Sequence, residues 1–202
     1  MNAEIQDLIR RIKTDFRLSM NGIASKTMRE SGLNYKLNFG IELPRLRQIA
    51  DDYEPSHDLA QELWKDDVRE SKILATMLQP IDTFYPEIAD IWVERMPTYE
   101  MADIAVMNLF QRLPYASDKA FVWISTDDDM MQYCGWILLA RLLMRGAVMS
   151  DDSEAEFLDQ LGASLSDANH YVQRAARLAA QKYALQGEEQ ERKLKVAQIV
   201  AY

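Results

Sequence analysis

The chain has 202 residues, 48% of them hydrophobic and 27% charged, which places it with globular rather than disordered proteins. Its net charge of −9 argues against a uniformly basic surface, and the lack of an apolar run of about 18 residues argues against a membrane span. One cysteine, Cys134, cannot form an internal disulfide, and Met1 to Phe16 has no signal-peptide core; both predict a reducing cytoplasm.

From the start, Ile5, Leu8, Ile9, Ile12, Phe16 and Met20 recur at helical spacing. Asn21-Gly22 ends that helix, and Gly22 to Ser31 predicts a second, stopped by Gly32. Tyr35 to Leu43 reads as an irregular connection. Pro44 starts another helix with Leu46, Ile49, Ala50 and Tyr53 on one face. Asp58 to Trp64 is a short helix, and Val68 to Leu78 follows an acidic turn. Pro86 to Met96 and Tyr99 to Leu113 come next, then Ser117 to Ser125, capped by Ser117. Asp127-Asp128-Asp129 opens a long apolar helix that stops at Gly146. Ser150 to Leu165, Ala168 to Leu185, and a last helix from Gly187 to Tyr202 complete the chain. No segment alternates with period two for long enough to be a strand, so the expected class is all-α.

Charge is unevenly spread. Residues 1–50 balance at +4, residues 51–170 at −16 and residues 171–202 at +3. Two mildly basic ends flank an acidic middle, which suits either a plain acidic surface or a polyanion held by the ends. There is also a rhythm. Segments beginning at Ser71, Ile104, Trp136 and Ala175 resemble one another and recur at roughly 35 residues, near the period of two-helix solenoid repeats. One helix pair cannot bury its apolar face alone, so stacking makes the core and the inner helices line a concave surface. The expectation is a single domain over residues 1–202, a superhelical solenoid of two-helix repeats.

Pro97 and Thr98 mark a helix start, with Thr98 as the cap. Tyr99 and Asp103 then stand one turn apart on one face. That pair is either a site or a polar edge on a structural helix. Trp64, Trp92, Trp123 and Trp136 lie among apolar neighbours at helical spacing and read as core, although Trp136 falls on an inner helix. Arg174, Arg177 and Lys182 share a late inner helix and suit either phosphate or a solvated face. His57, His170 and Cys134 are not spaced as metal ligands, and no phosphate-binding loop or nucleophile elbow occurs. No cofactor or metal is expected.

Several blocks together resemble the AlkD-like DNA alkylation repair family of HEAT-like repeat proteins. They are Phe39-Gly40-Ile41 with Pro44, Leu46, Arg47, Ile49 and Ala50; Leu63-Trp64 with Glu70, Ile73, Leu74 and Ala75; and Trp92 followed by Tyr99 and Asp103. Their order and spacing carry the resemblance, over roughly residues 20–185. It implies a HEAT-like solenoid that grips duplex DNA on its concave face. Active members of the family are glycosylases that remove cationic N-alkylated purines. A carboxylate near the lesion sugar stabilises the charge that develops as the N-glycosidic bond breaks. On this resemblance Asp103 is the catalytic carboxylate and Tyr99 the aromatic beside it, with Trp136, Arg174, Arg177 and Gln181 toward DNA. The chain departs from the family pattern at several places. Tyr99 stands where active members carry tryptophan, Leu178 where they carry a second one, and Gln181 replaces an arginine. Gln132-Tyr133-Cys134-Gly135 replaces an arginine-bearing helix start. The alternative is therefore a scaffold of the same fold that binds DNA or a protein partner and has lost glycosylase activity.

Overall fold

The helical periodicities become helices. The computed structural model describes residues 3–33 and 35–197, with twelve α-helices and no strand among the described residues. A single β-bridge pairs Leu37 with Val68 there. No helix among those residues is long and apolar enough to cross a membrane. The chain divides into two compact units, Met1–Leu109 and Phe110–Tyr202.

The first unit contains α1 (Ala3–Leu18), α2 (Gly22–Glu30), α3 (Leu43–Asp51), α4 (His57–Lys65), α5 (Arg69–Leu78), α6 (Pro86–Glu94) and α7 (Tyr99–Asn108). Helix α5 is central: α3, α4 and α7 all pack on it. Its apolar residues Ile73, Leu74, Ala75 and Leu78 are buried, as expected, but so are Arg69, Glu70, Ser71 and Lys72 before them. Trp64 and Trp92 stack with ring centroids 4.1 Å apart, and Phe84 meets Trp92 edge-on at 4.8 Å. Each such buried ring contributes roughly 1.5–3 kcal/mol of hydrophobic stabilisation.

The second unit contains α8 (Ala116–Ile124), α9 (Asp129–Met144), α10 (Asp151–Ser164), α11 (His170–Ala184) and α12 (Glu188–Val196). Helix α9 packs against α8 on one side and α11 on another. Gly135 makes the first contact close: a Cβ there would lie 2.7 Å from the Ala120 carbonyl oxygen. Asp128 caps α9, accepting the Met131 N–H at 2.8 Å, so the acidic run is a helix start.

Among the boundaries that differ from expectation, three stand out. The helix predicted over Tyr99 to Leu113 ends at Asn108, where Leu109 leaves helical geometry (φ −123°, ψ −62°) before a 3-10 turn at Phe110–Arg112. The helix expected to be capped by Ser117 begins at Ala116, behind Tyr115, which makes no side-chain cap. The last helix is seen over Glu188–Val196; residues 198–202 of the predicted segment lie outside the described residues.

Candidate functional site

Helix α7 carries the Tyr99–Asp103 pair. Thr98 caps it, its Oγ1 accepting the Met101 N–H at 3.2 Å. Met101, Ala102, Ile104, Ala105 and Val106 are buried and hold the helix in the unit, while Asp103 is exposed and Tyr99 half-buried. Tyr99 and Asp103 therefore face outward together, one turn apart, as the spacing predicts.

Both ends of α7 are tied to α5. At the far end the Asn108 amide donates to Thr76 Oγ1 at 2.9 Å. At the near end the guanidinium of Arg69, 3% exposed, grips Glu100: Nη2 donates to Oε1 at 2.7 Å and Nε to both carboxylate oxygens at 3.1 and 3.2 Å. Arg69 Nη1 also donates to the Ile41 carbonyl at 3.1 Å. Glu70, fully buried, accepts the Phe39 and Ile41 backbone N–H groups at 3.0 and 3.3 Å. Tyr35 closes the cluster, donating to Glu100 Oε2 at 3.0 Å and lying 2.7 Å from Thr98 Oγ1. Burial works against the Arg69 charge, but the Glu100 hydrogen bonds and charge outweigh it and hold the guanidinium above its ordinary pKa. Burial foremost, with Glu100 beside it, pushes the Tyr35 phenol well above its usual range. The guanidinium therefore stays charged and the phenol protonated across ordinary pH, and together they set the register of the helix that presents Asp103.

Sequence reasoning passed over this cluster. The sequence places residues 69–72 at the start of a helix, with Glu70 in a block that resembles the family and Ser71 opening a repeat segment, but it does not show that these polar residues are buried. Burial of charged residues here depends on the 35–41 segment, whose hydrogen bonds to Glu70 come from 29 and 31 residues away in sequence, and local periodicity contains no such information.

In the second unit, Val172, Ala175, Ala176, Ala179, Ala180 and Tyr183 form the buried face of α11. Arg174, Arg177 and Gln181, at i, i+3 and i+7, make a stripe on the opposite side; Arg174 and Gln181 are exposed and Arg177 half-buried. Lys182 lies off that stripe, in a hollow with Met144, Val148 and Leu185. Trp136 requires a correction. It is fully buried, its Nε1 donates to Ser164 Oγ at 3.0 Å, and its ring meets Phe157 edge-on at 5.9 Å. An indole whose faces and N–H are all used by the core has nothing left for DNA. Tyr133 and Cys134 are buried as well. Among the described residues, no group of three or more His, Cys, Asp or Glu is arranged to hold a metal ion.

The family of DNA alkylation repair enzymes matches residues 12–195. The chain belongs to that family. A solved structure is similar with a TM-score of 0.82 at 16% identity, covering 93% of this chain and 80% of the other. That protein is described as one of a new family related to the HEAT-like repeat DNA glycosylases, with affinity for branched DNA structures. At this identity the likeness establishes the fold, and the repeats of this DNA alkylation repair family member are HEAT-like helix pairs. No curated protein matches the chain. Tyr99, Asp103, Arg174, Arg177 and Gln181 all fall inside the family match.

Proposed function

We propose that the protein binds DNA and hydrolyses the N-glycosidic bond of N-alkylated purines, with Asp103 as the carboxylate that stabilises the transition state. The observation that carries this is an exposed carboxylate, one turn from Tyr99, on a helix held in fixed register by α5 and inside the stretch that the family matches. Alkylation already gives the purine a positive charge, so it leaves as a neutral base without prior protonation. Positive charge then develops on the deoxyribose, and a fixed carboxylate lowers the energy of that state more than it lowers the ground state. Water adds to the anomeric carbon and loses a proton, giving the free base and an abasic site. The half-buried Tyr99 offers a ring face beside the sugar. Arg174 and Arg177 meet phosphates, with Gln181 continuing the contact along the same stripe of α11. The protein is cytoplasmic in this reading, in keeping with a single, buried cysteine.

A second reading is a DNA-binding scaffold without catalysis. It is favoured by two departures from the family pattern: Trp136 is core, and Leu178 stands where active members carry a tryptophan. The structural neighbour's affinity for branched DNA is compatible with either reading. Release of 7-methylguanine or 3-methyladenine from methylated duplex distinguishes them. The enzymatic reading expects release by the wild type and a loss of about 10²–10³-fold in Asp103→Asn, the usual effect of deleting one electrostatic stabiliser. No release by folded wild type leaves the scaffold.

A further inference from the structure

The end of α1, the turn after it and the start of α2 present three aliphatic side chains that the core does not use. Leu18 is 80% exposed, Met20 60% and Ile23 83%. The apolar face of α1, with Ile5, Ile12 and Phe16, is already committed to the core, so these three are not part of a stripe along a helix. The sequence around them, between Asp15 and Glu30, is cationic. From Phe16 to Arg29 the chain carries Arg17, Lys26 and Arg29 and no aspartate or glutamate, within a protein of net charge −9. Arg45 reaches in from α3, its Nε donating to Ser19 Oγ at 3.1 Å. Lys26 pairs with Glu30 one turn further along α2 at 3.7 Å, an exposed pair open to exchange for a phosphate.

The turn is also rigid. Asn21 caps α2 by accepting the Ala24 N–H at 3.1 Å, and its own N–H donates to the Phe39 carbonyl at 2.8 Å. Ser25 Oγ donates to the Asn38 carbonyl at 3.0 Å. Gly40, at φ +70°, lets the 35–41 segment press so close that a Cβ there would lie 2.3 Å from the Asn21 carbonyl oxygen. Exposed aliphatic groups on a mobile loop would cost ordering on binding; here that order is already built in.

We propose that this turn is a DNA wedge: Leu18, Met20 and Ile23 stack on the base pair exposed where a duplex is interrupted, and Arg17, Lys26 and Arg45 hold the flanking phosphates. Aliphatic wedges flanked by cations are a common means of engaging opened base steps. A rigid turn suits an interruption better than a continuous duplex, because at an interruption the base face is bare and no stacking must first be broken. Three side chains with no amphipathic stripe behind them are too little to hold a protein on a bilayer, which favours nucleic acid over a lipid surface as the polyanion. The inference rests on the DNA-binding reading above and specifies the form of DNA.

The test compares binding of a continuous duplex, a gapped duplex and a three-way junction by the full chain. The variants are Leu18→Ser/Met20→Ser/Ile23→Ser, Ile23→Ser alone, and Arg17→Gln/Arg45→Gln. The wild type is expected to prefer the interrupted forms by about tenfold or more, and 2-aminopurine at the interruption to change its fluorescence on binding. The triple variant should keep its thermal midpoint and its affinity for continuous duplex while losing the preference and the fluorescence change, with Ile23→Ser intermediate. The arginine variant should weaken all three substrates and flatten the salt dependence. A triple variant that keeps the preference overturns the wedge. So does a triple variant that binds every DNA normally but no longer sediments with phosphatidylserine vesicles that the wild type binds, which would make the turn a lipid contact. A wild type that binds none of the three DNAs brings down the DNA-binding reading itself, a different failure from DNA binding that ignores the turn.

Discussion

Arg69 and Glu100 form the most consequential pair of charges in the first unit. The guanidinium is almost wholly out of water, and three of its hydrogen bonds end on one carboxylate. Removing either partner strands the other: Arg69→Met leaves Glu100 and Tyr35 facing each other, and Glu100→Gln leaves a buried cation half-compensated by Glu70. Each variant should lose about 3 kcal/mol, read as a lower urea midpoint with an unchanged slope. An unshifted midpoint in both would mean that the cluster does not anchor α7. Asp103 differs because it is exposed, so Asp103→Asn should remove activity with little change in stability. At this scale the sequence is an uneven guide. The Tyr99–Asp103 pair follows from four-residue spacing and stands where that spacing puts it. Trp136 could not be resolved, because an inner helix has a ligand side and a core side and its register depends on what packs behind it, here Ser164 and Phe157.

Among the elements, two glycines in helices test how the pairs are built. Gly135 lies where α9 meets α8, and a Cβ there would come within 2.9 Å of three Ala120 and Ile124 atoms. Gly162 lies on the exposed side of α10 with nothing within 4 Å. Gly135→Ala should destabilise by about 1–3 kcal/mol through overpacking, while Gly162→Ala should stabilise by about 0.5–1 kcal/mol through helix propensity. Thermal melts of the two variants moving the same way would contradict close packing between α8 and α9. Helix α12 is pinned to its neighbours by Glu154 of α10, which accepts from Lys193 and from the Tyr183 hydroxyl. The Lys193 hydrogen bond, then that of Tyr183, holds the Glu154 carboxyl below its ordinary value of 4.5. A depressed carboxylate pKa adds stability that is present above the unfolded value and lost as pH falls through the folded one. Wild type should therefore exceed Glu154→Gln in stability at neutral pH, with the gap closing below about pH 4.5; parallel pH profiles would contradict the pin. Helix existence was legible from apolar periodicity, from the Thr98 cap and from the acidic run that opens α9, whereas the caps Asn21 and Asp128 were seen only in the structure. The break at Leu109 was not, because the apolar run continues through Phe110 without glycine or proline to mark it.

For the whole molecule, the repeat rhythm and three short blocks were enough to indicate the family, because both survive divergence that erases individual contacts. A structural likeness with a TM-score of 0.82 persists at 16% identity. The proposed DNA binding depends instead on a few surface charges set against a net charge of −9, a balance that by itself argues against it. The direct measurement is the salt dependence of duplex affinity for the wild type and for Arg174→Gln/Arg177→Gln. Wild-type affinity is expected to fall log-linearly with salt, and the double variant to bind more weakly, its slope shallower by about 0.9 for each phosphate it no longer neutralises. A wild type with no measurable salt-sensitive binding, or a double variant with the wild-type slope, would contradict DNA binding along this stripe of α11.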